Sequence, residues 1–130
     1  MRRRDLLAYL IGAGIAGTIL VGPYALRVVA GELFMPGRAV PVIPVVLLPI
    51  LWGVWNLVWA RRHPPVSIGT WGALLGFAAA SGVNGYLWLA GVWFPAVGLL
   101  LVFLPVVYWL VWRLVVGPLN EALRADGERG

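Results

Sequence analysis

No cysteine and no lysine occur among these 130 residues, histidine occurs once, and acids number five. Each shortage closes a class of chemistry. Without cysteine there is no disulfide, no thiolate nucleophile and no cysteine-held metal. The lone His63 cannot supply the paired imidazoles of a membrane haem, and it sits in a basic turn between Arg62 and Pro64, outside any apolar run. Proton-coupled transport and intramembrane catalysis need ionisable groups held within a span, where a charge costs several kcal/mol. Asp5, Glu32, Glu121, Asp126 and Glu128 all lie at or beyond the edges of the apolar runs. The first run, in particular, holds Gly14 and Thr18 and no acid. No catalytic residue, metal ligand or cofactor is therefore expected, and the chain reads as non-enzymatic.

What is abundant is apolar. Hydrophobic residues make up 62% of the chain, charged residues 12%, and the mean hydropathy is +0.91, which leaves too little polar surface to cover a soluble globule of this size. Four apolar runs, at about 6–26, 40–60, 68–89 and 93–116, each reach the roughly 20 residues that a helix needs to cross a bilayer. The expected fold class is an all-α integral membrane protein: one domain over 1–130, a four-transmembrane-helix bundle, with 117–130 as a polar tail. The connections are a loop at about 31–39, the Arg-Arg-His-Pro-Pro turn at 61–65 and a tight link at Ala90-Gly91.

Arginine sets the orientation. With four spans, eight arginines (2, 3, 4, 61, 62, 113, 124 and 129) fall on the side of the N-terminus and two (27 and 38) on the other. The positive-inside bias places both termini in the cytoplasm of a multi-pass protein of the cell (cytoplasmic/inner) membrane. Tyr9, Trp59, Trp71, Trp109 and Trp112 then lie near the inner boundary, and Tyr24, Phe34, Tyr86, Trp88 and Trp93 near the outer one, as aromatic belts do. The net charge of +5 is spread in short clusters beside apolar runs, which suits anionic lipid headgroups and gives no basic surface for nucleic acid. Arg3-Arg4-Asp5-Leu6-Leu7 resembles the core of a twin-arginine export signal, with Val28-Val29-Ala30 as a small-residue cleavage site. The long apolar run and Arg27 just before that site favour an uncleaved first helix.

In lipid, helices associate where small residues allow close backbone approach. Gly72, Gly76 and Ala80 follow at i, i+4 and i+8 in the third run, with Ser81 beside them and Asn84 one turn on; Gly14, Thr18 and Gly22 repeat that spacing in the first. These ridges are expected to pack the first and third helices together, with Thr18 and Ser81 bonding near the midplane; a contact between subunits is the rival use. The second and fourth runs instead carry a mid-run proline followed by aromatics. Leu48-Pro49-Ile50-Leu51-Trp52 and Leu104-Pro105-Val106-Val107-Tyr108 lie 56 residues apart, the spacing of a duplicated helical hairpin, although convergent span composition explains the match nearly as well.

One face carries a candidate ligand wall. Trp52, Trp55 and Trp59 are spaced i, i+3, i+7 around Asn56, so an aromatic plane and one amide stand together. An interhelical hydrogen bond from Asn56 is the plainer use of the same residues. The preferred function is a small membrane protein acting through helix–helix contacts, as an accessory or assembly subunit or a homo-oligomer. The alternative is a small transporter, channel or lipid-binding protein with a cavity beside the proline-bent second and fourth helices.

Overall fold

A computed structural model of the chain describes residues 3–34 and 43–128, with side chains described for 3–19 and 47–125. Every described element is helical. Helix α1 runs from Arg3 to Phe34, α2 from Ile43 to Arg62 and α3 from Ile68 to Leu89. A 3-10 turn (Pro95–Leu99) then leads into α4 (Leu100–Val111), a π-helical turn (Trp112–Val116) and α5 (Gly117–Glu128).

The boundaries follow from local chemistry. The expected loop at Gly31 is overridden, because one glycine does not stop a helix, and α1 runs on to Phe34. Ser67 caps α3, its hydroxyl accepting the Thr70 N–H at 3.1 Å. At the other end Gly91, at φ +69°, closes a Schellman turn: its own N–H meets the Trp88 carbonyl at 3.1 Å, and the Val92 N–H meets that of Leu87 at 3.0 Å. The His63 backbone, at φ 42°, takes the same left-handed conformation just after α2.

The fourth run departs from a plain helix at both ends. Phe94 is extended and Pro95 opens a 3-10 turn, so the helix begins two residues after the expected Trp93. At its far end the π turn is marked by the Gly117 N–H reaching back to the Trp112 carbonyl. Pro118 has no N–H to offer the Leu114 carbonyl, and its ring would crowd it; widening the preceding turn relieves both. The polar tail expected after 116 is the helix α5, which extends to Glu128.

Among the described residues one helix is long and apolar enough to cross a membrane, the continuous run Pro95–Ala125, whose most apolar 18-residue window has a mean hydropathy of 2.3. Helix α3 has the length, at 22 residues, but its five glycines and Asn84 dilute its apolarity.

Contacts gather into two compact units, Met1–Arg62 and His63–Gly130, each a helical hairpin. In the first, Ala8, Gly12 and Ala16 form a buried stripe at i, i+4, i+8 on α1. A Cβ on Gly12 would collide with the Trp52 carbonyl oxygen and lie 3.0 Å from the Asn56 Cβ. In the second unit, a Cβ on Gly72 would lie 2.8 Å from the Tyr108 carbonyl oxygen and 2.5 Å from the Trp112 Cβ. Tyr108 and Trp112 stand 56 positions after Trp52 and Asn56, so one arrangement occurs in both units. A further pair is exchanged. The Tyr9 ring of α1 covers Gly53 of α2, whereas the Trp109 ring of α4 covers Gly69 of α3.

These contacts separate neighbouring glycines by consequence. Gly12→Leu should lower the unfolding free energy in detergent by about 1–3 kcal/mol, because a backbone carbonyl cannot move aside as a side-chain tip can. Gly14→Leu should change it by less than about 0.5 kcal/mol, since a Cβ there meets nothing within 4 Å. Thermal or denaturant unfolding followed by circular dichroism reads both; equal losses would refute the placement of α1 against α2. Gly91→Ala, forced into the left-handed region, should cost about 1 kcal/mol in the same assay.

Candidate functional site

The Trp52–Asn56 face is an interior contact of the first hairpin. Trp52 is buried and Asn56 is fully buried, while Trp55 and Trp59 on the same helix are half-buried. The Asn56 amide donates to the Ala8 carbonyl at 2.7 Å, across the α1–α2 interface. That carbonyl is reachable because Gly12, one turn further along α1, lets the two backbones close up. The arrangement secures register: an amide fully removed from solvent must find an acceptor, and one position of α1 presents it.

One turn before Ala8, Asp5 extends the same stripe and pairs with Arg61 near the end of α2, Oδ2 to Nη2 at 2.8 Å. Asp5 is the more covered partner. Its hydrogen bond, and secondarily its charge, raise the Arg61 guanidinium above its ordinary pKa, so Arg61 stays cationic at any physiological pH. Arg4, Asp5, Ala60 and Arg61 enclose a shallow cleft at this end of the hairpin, of 310 Å³.

The hydroxyls on the small-residue ridges of α1 and α3 bond within their own helices. Thr18 is exposed and donates to the Gly14 carbonyl of its own helix at 2.8 Å, and Ser81 likewise donates to Phe77 at 2.8 Å. In each, the hydroxyl donates one turn back within its own helix. Gly22 lies beyond the residues whose side-chain surroundings are described. The face of α1 packed on α2 is Ala8-Gly12-Ala16, a small-residue register distinct from Gly14-Thr18-Gly22. The placement of Asp5 distinguishes the two in the sequence, since it precedes Ala8 by three positions on the same face.

The α3 ridge faces α4 inside the second unit. Gly72 and Gly76 are buried, and a Cβ on Gly76 would lie 2.7 Å from the Leu104 carbonyl oxygen; Ala80 is fully buried one turn on. Asn84 closes the line. Its amide donates to the Ala80 carbonyl at 3.0 Å and to the Val97 carbonyl at 3.2 Å, and its oxygen accepts the Trp93 indole N–H at 2.9 Å. Trp93 in turn meets Trp88 edge-on, ring centres 5.5 Å apart. Asn84 thus ties the turn between α3 and the 3-10 segment from three directions. At the opposite end of α4, Tyr108 and Trp112 stack with ring planes 9° apart, and the Arg113 guanidinium lies 4.8 Å from the centre of the Trp109 ring.

Among the described residues no three His, Cys, Asp or Glu side chains gather in a way that would hold a metal ion. A structural role for Asn56 predicts that Asn56→Ala lowers unfolding stability by about 1–3 kcal/mol, from a lost buried hydrogen bond and the space left behind. Trp55→Phe, at a half-buried neighbour, should cost less than about 1 kcal/mol. Unfolding midpoints in a mild detergent compare them; an Asn56→Ala variant as stable as the parent would return the amide to a ligand role.

No protein-family model, no curated protein and no solved structure matches this chain.

Proposed function

We propose that the chain is a small non-enzymatic protein of the cytoplasmic membrane, a four-span helical bundle with both termini inside, acting through helix contacts as an assembly subunit or homo-oligomer. The observation that carries this reading is the surface of the fourth helix. Pro95–Ala125 has the length and apolarity of a span, yet only 17% of its most apolar window is covered within the chain. Leu99, Val102, Phe103 and Leu114 are each more than three-fifths exposed. Water does not tolerate so continuous an apolar helix surface, whereas lipid tails or partner helices cover it at no cost. Spans in α1, α2 and α3 are inferred from their apolar composition and from the arginine asymmetry.

Two features favour contact over transport. The Asn56 amide, the polar element of the conceived cavity wall, is committed to Ala8. Small positions such as Gly14 and Gly17 on α1, and Gly82 and Gly85 on α3, have open space where a Cβ would point, as a surface for another helix requires. The recurrence of the glycine-over-carbonyl contact at Gly12 and Gly72, with its 56-residue offset in the second helices, supports a duplicated hairpin.

The absence of native cysteine makes the topology directly testable. Pro65→Cys and Ala90→Cys, both at exposed positions, should react with a membrane-impermeant maleimide from opposite sides: Ala90→Cys in intact cells, Pro65→Cys only after permeabilisation. Labelling of both from one side would overturn the four-span arrangement. Extraction in mild detergent followed by particle-mass measurement should give a multiple of 14.1 kDa or a complex with another protein; a strictly monomeric particle would overturn the contact function.

A further inference from the structure

Each hairpin brings the start of its first helix beside the end of its second, and each has a cleft there. The two clefts differ in how their arginine is used. In the first unit Arg61 is bonded to Asp5, a neighbour from the opposing helix. In the second, the first turn of α3 contains no acid, and the Ser67 hydroxyl is engaged with the Thr70 N–H and the Thr70 hydroxyl. Arg113 lies on the Trp109 ring, a contact that orients a guanidinium without neutralising it. Arg113 and Glu121 both line this cleft, of 500 Å³, and among the described residues neither forms an ion pair. The cleft is within the size range of small-ligand sites.

We propose that this cleft binds the headgroup of an amine-bearing phospholipid, Arg113 receiving the phosphate and Glu121 the ammonium. A guanidinium matches phosphate with paired N–H donors, and its contact with Trp109 reduces the freedom lost on binding. Glu121 on the same wall opposes a purely anionic ligand and suits one that carries its own cation. Ile68 and Trp109 add apolar surface for the glycerol backbone and upper acyl chain. This rests on the membrane reading, under which the arginine asymmetry puts Arg113 at headgroup depth on the cytoplasmic face. The lipid is the intended source of the phosphoethanolamine group, rather than a free phosphate ester.

Native mass spectrometry of the full chain in mild detergent, titrated with phosphatidylethanolamine, phosphatidylcholine and phosphatidylglycerol of matched acyl chains, tests the site. The expected order places phosphatidylethanolamine first, because a primary ammonium donates hydrogen bonds to Glu121 and a quaternary one does not. Arg113→Gln should weaken its binding about tenfold, the equivalent of one charge-assisted contact. Glu121→Gln should abolish the preference for phosphatidylethanolamine over phosphatidylglycerol while lipid binding persists, and Arg124→Gln, outside the cleft, should bind as the parent does. Unchanged affinity in Arg113→Gln, or no preference for the amine in the parent, would overturn the proposal. Displacement of the lipid by millimolar O-phosphoethanolamine would overturn the lipid as source. Resistance to alkaline carbonate extraction tests the membrane reading separately: protein that stays in the membrane but fails the titration loses the site alone.

Discussion

Close approach of two backbones at a glycine is the constraint on which both hairpins depend. At Gly12 and again at Gly72, the first helix lies so near the second that a carbonyl oxygen occupies the place of a methyl group. Dispersion contacts strengthen steeply at such short range, and in a lipid environment they must supply what the hydrophobic effect supplies in water. The remaining features of each interface follow from that proximity. Asn56 can span to the Ala8 carbonyl only because the helices are this close. Trp112 can be buried entirely only because Gly72 presents no side chain against it. Large aromatics on one helix and glycines on the other are thus two halves of one packing solution, and the exchange of Tyr9/Gly53 for Trp109/Gly69 shows that either helix can carry either half.

Local signals were the legible ones. The bounds of α3 follow from Ser67 and Gly91. Pairing was less legible, because small-residue spacing is periodic and names several registers at once. Helix α1 offers Ala8-Gly12-Ala16 and Gly14-Thr18-Gly22, and spacing alone does not choose between them. The choice is made by long-range polar partners, Asp5 with Arg61 and Ala8 with Asn56, each more than 45 positions apart in sequence. Thr18 and Ser81 looked like interhelical donors because embedded hydroxyls need an acceptor. A carbonyl one turn back in the same helix satisfies that need without a partner, which hydropathy cannot reveal.

The π turn was illegible for a different reason. Pro105 and Pro49 were the visible irregularities of the second and fourth runs, yet the helix changes its winding at Trp112–Val116, near Pro118. A proline inside an apolar run reads as a bend wherever it falls, but its effect depends on whether neighbouring residues can widen a turn. Gly117 permits this: a Cβ there would lie 3.2 Å from both Ile68 Cγ2 and the Trp112 carbonyl oxygen, so a side chain would have to displace α3 or the π hydrogen bond. The same widening lets α5 continue unbroken to Glu128 through the polar tail.

The two hairpins share a packing plan and spend their polar groups differently, which bears on where function resides. The first unit consumes them internally, Asn56 on a backbone carbonyl and Arg61 on Asp5, so that register is fixed at two successive turns near one end of the hairpin. The second unit consumes Asn84 at its turn, where its bonds to Val97 and Trp93 hold the link to the 3-10 segment, and its interior sets the glycines of α3 against Tyr108 and Trp112, with Val116 also buried. Its charged residues at the other end, Arg113 and Glu121, are left without a structural bond to each other. Groups already committed to register lose fold stability when diverted to a ligand, whereas uncommitted groups on a rigid scaffold do not. By that reasoning the second unit, in which Arg113 and Glu121 form no ion pair among the described residues, is the half whose charges a ligand engages at the lower cost in fold stability.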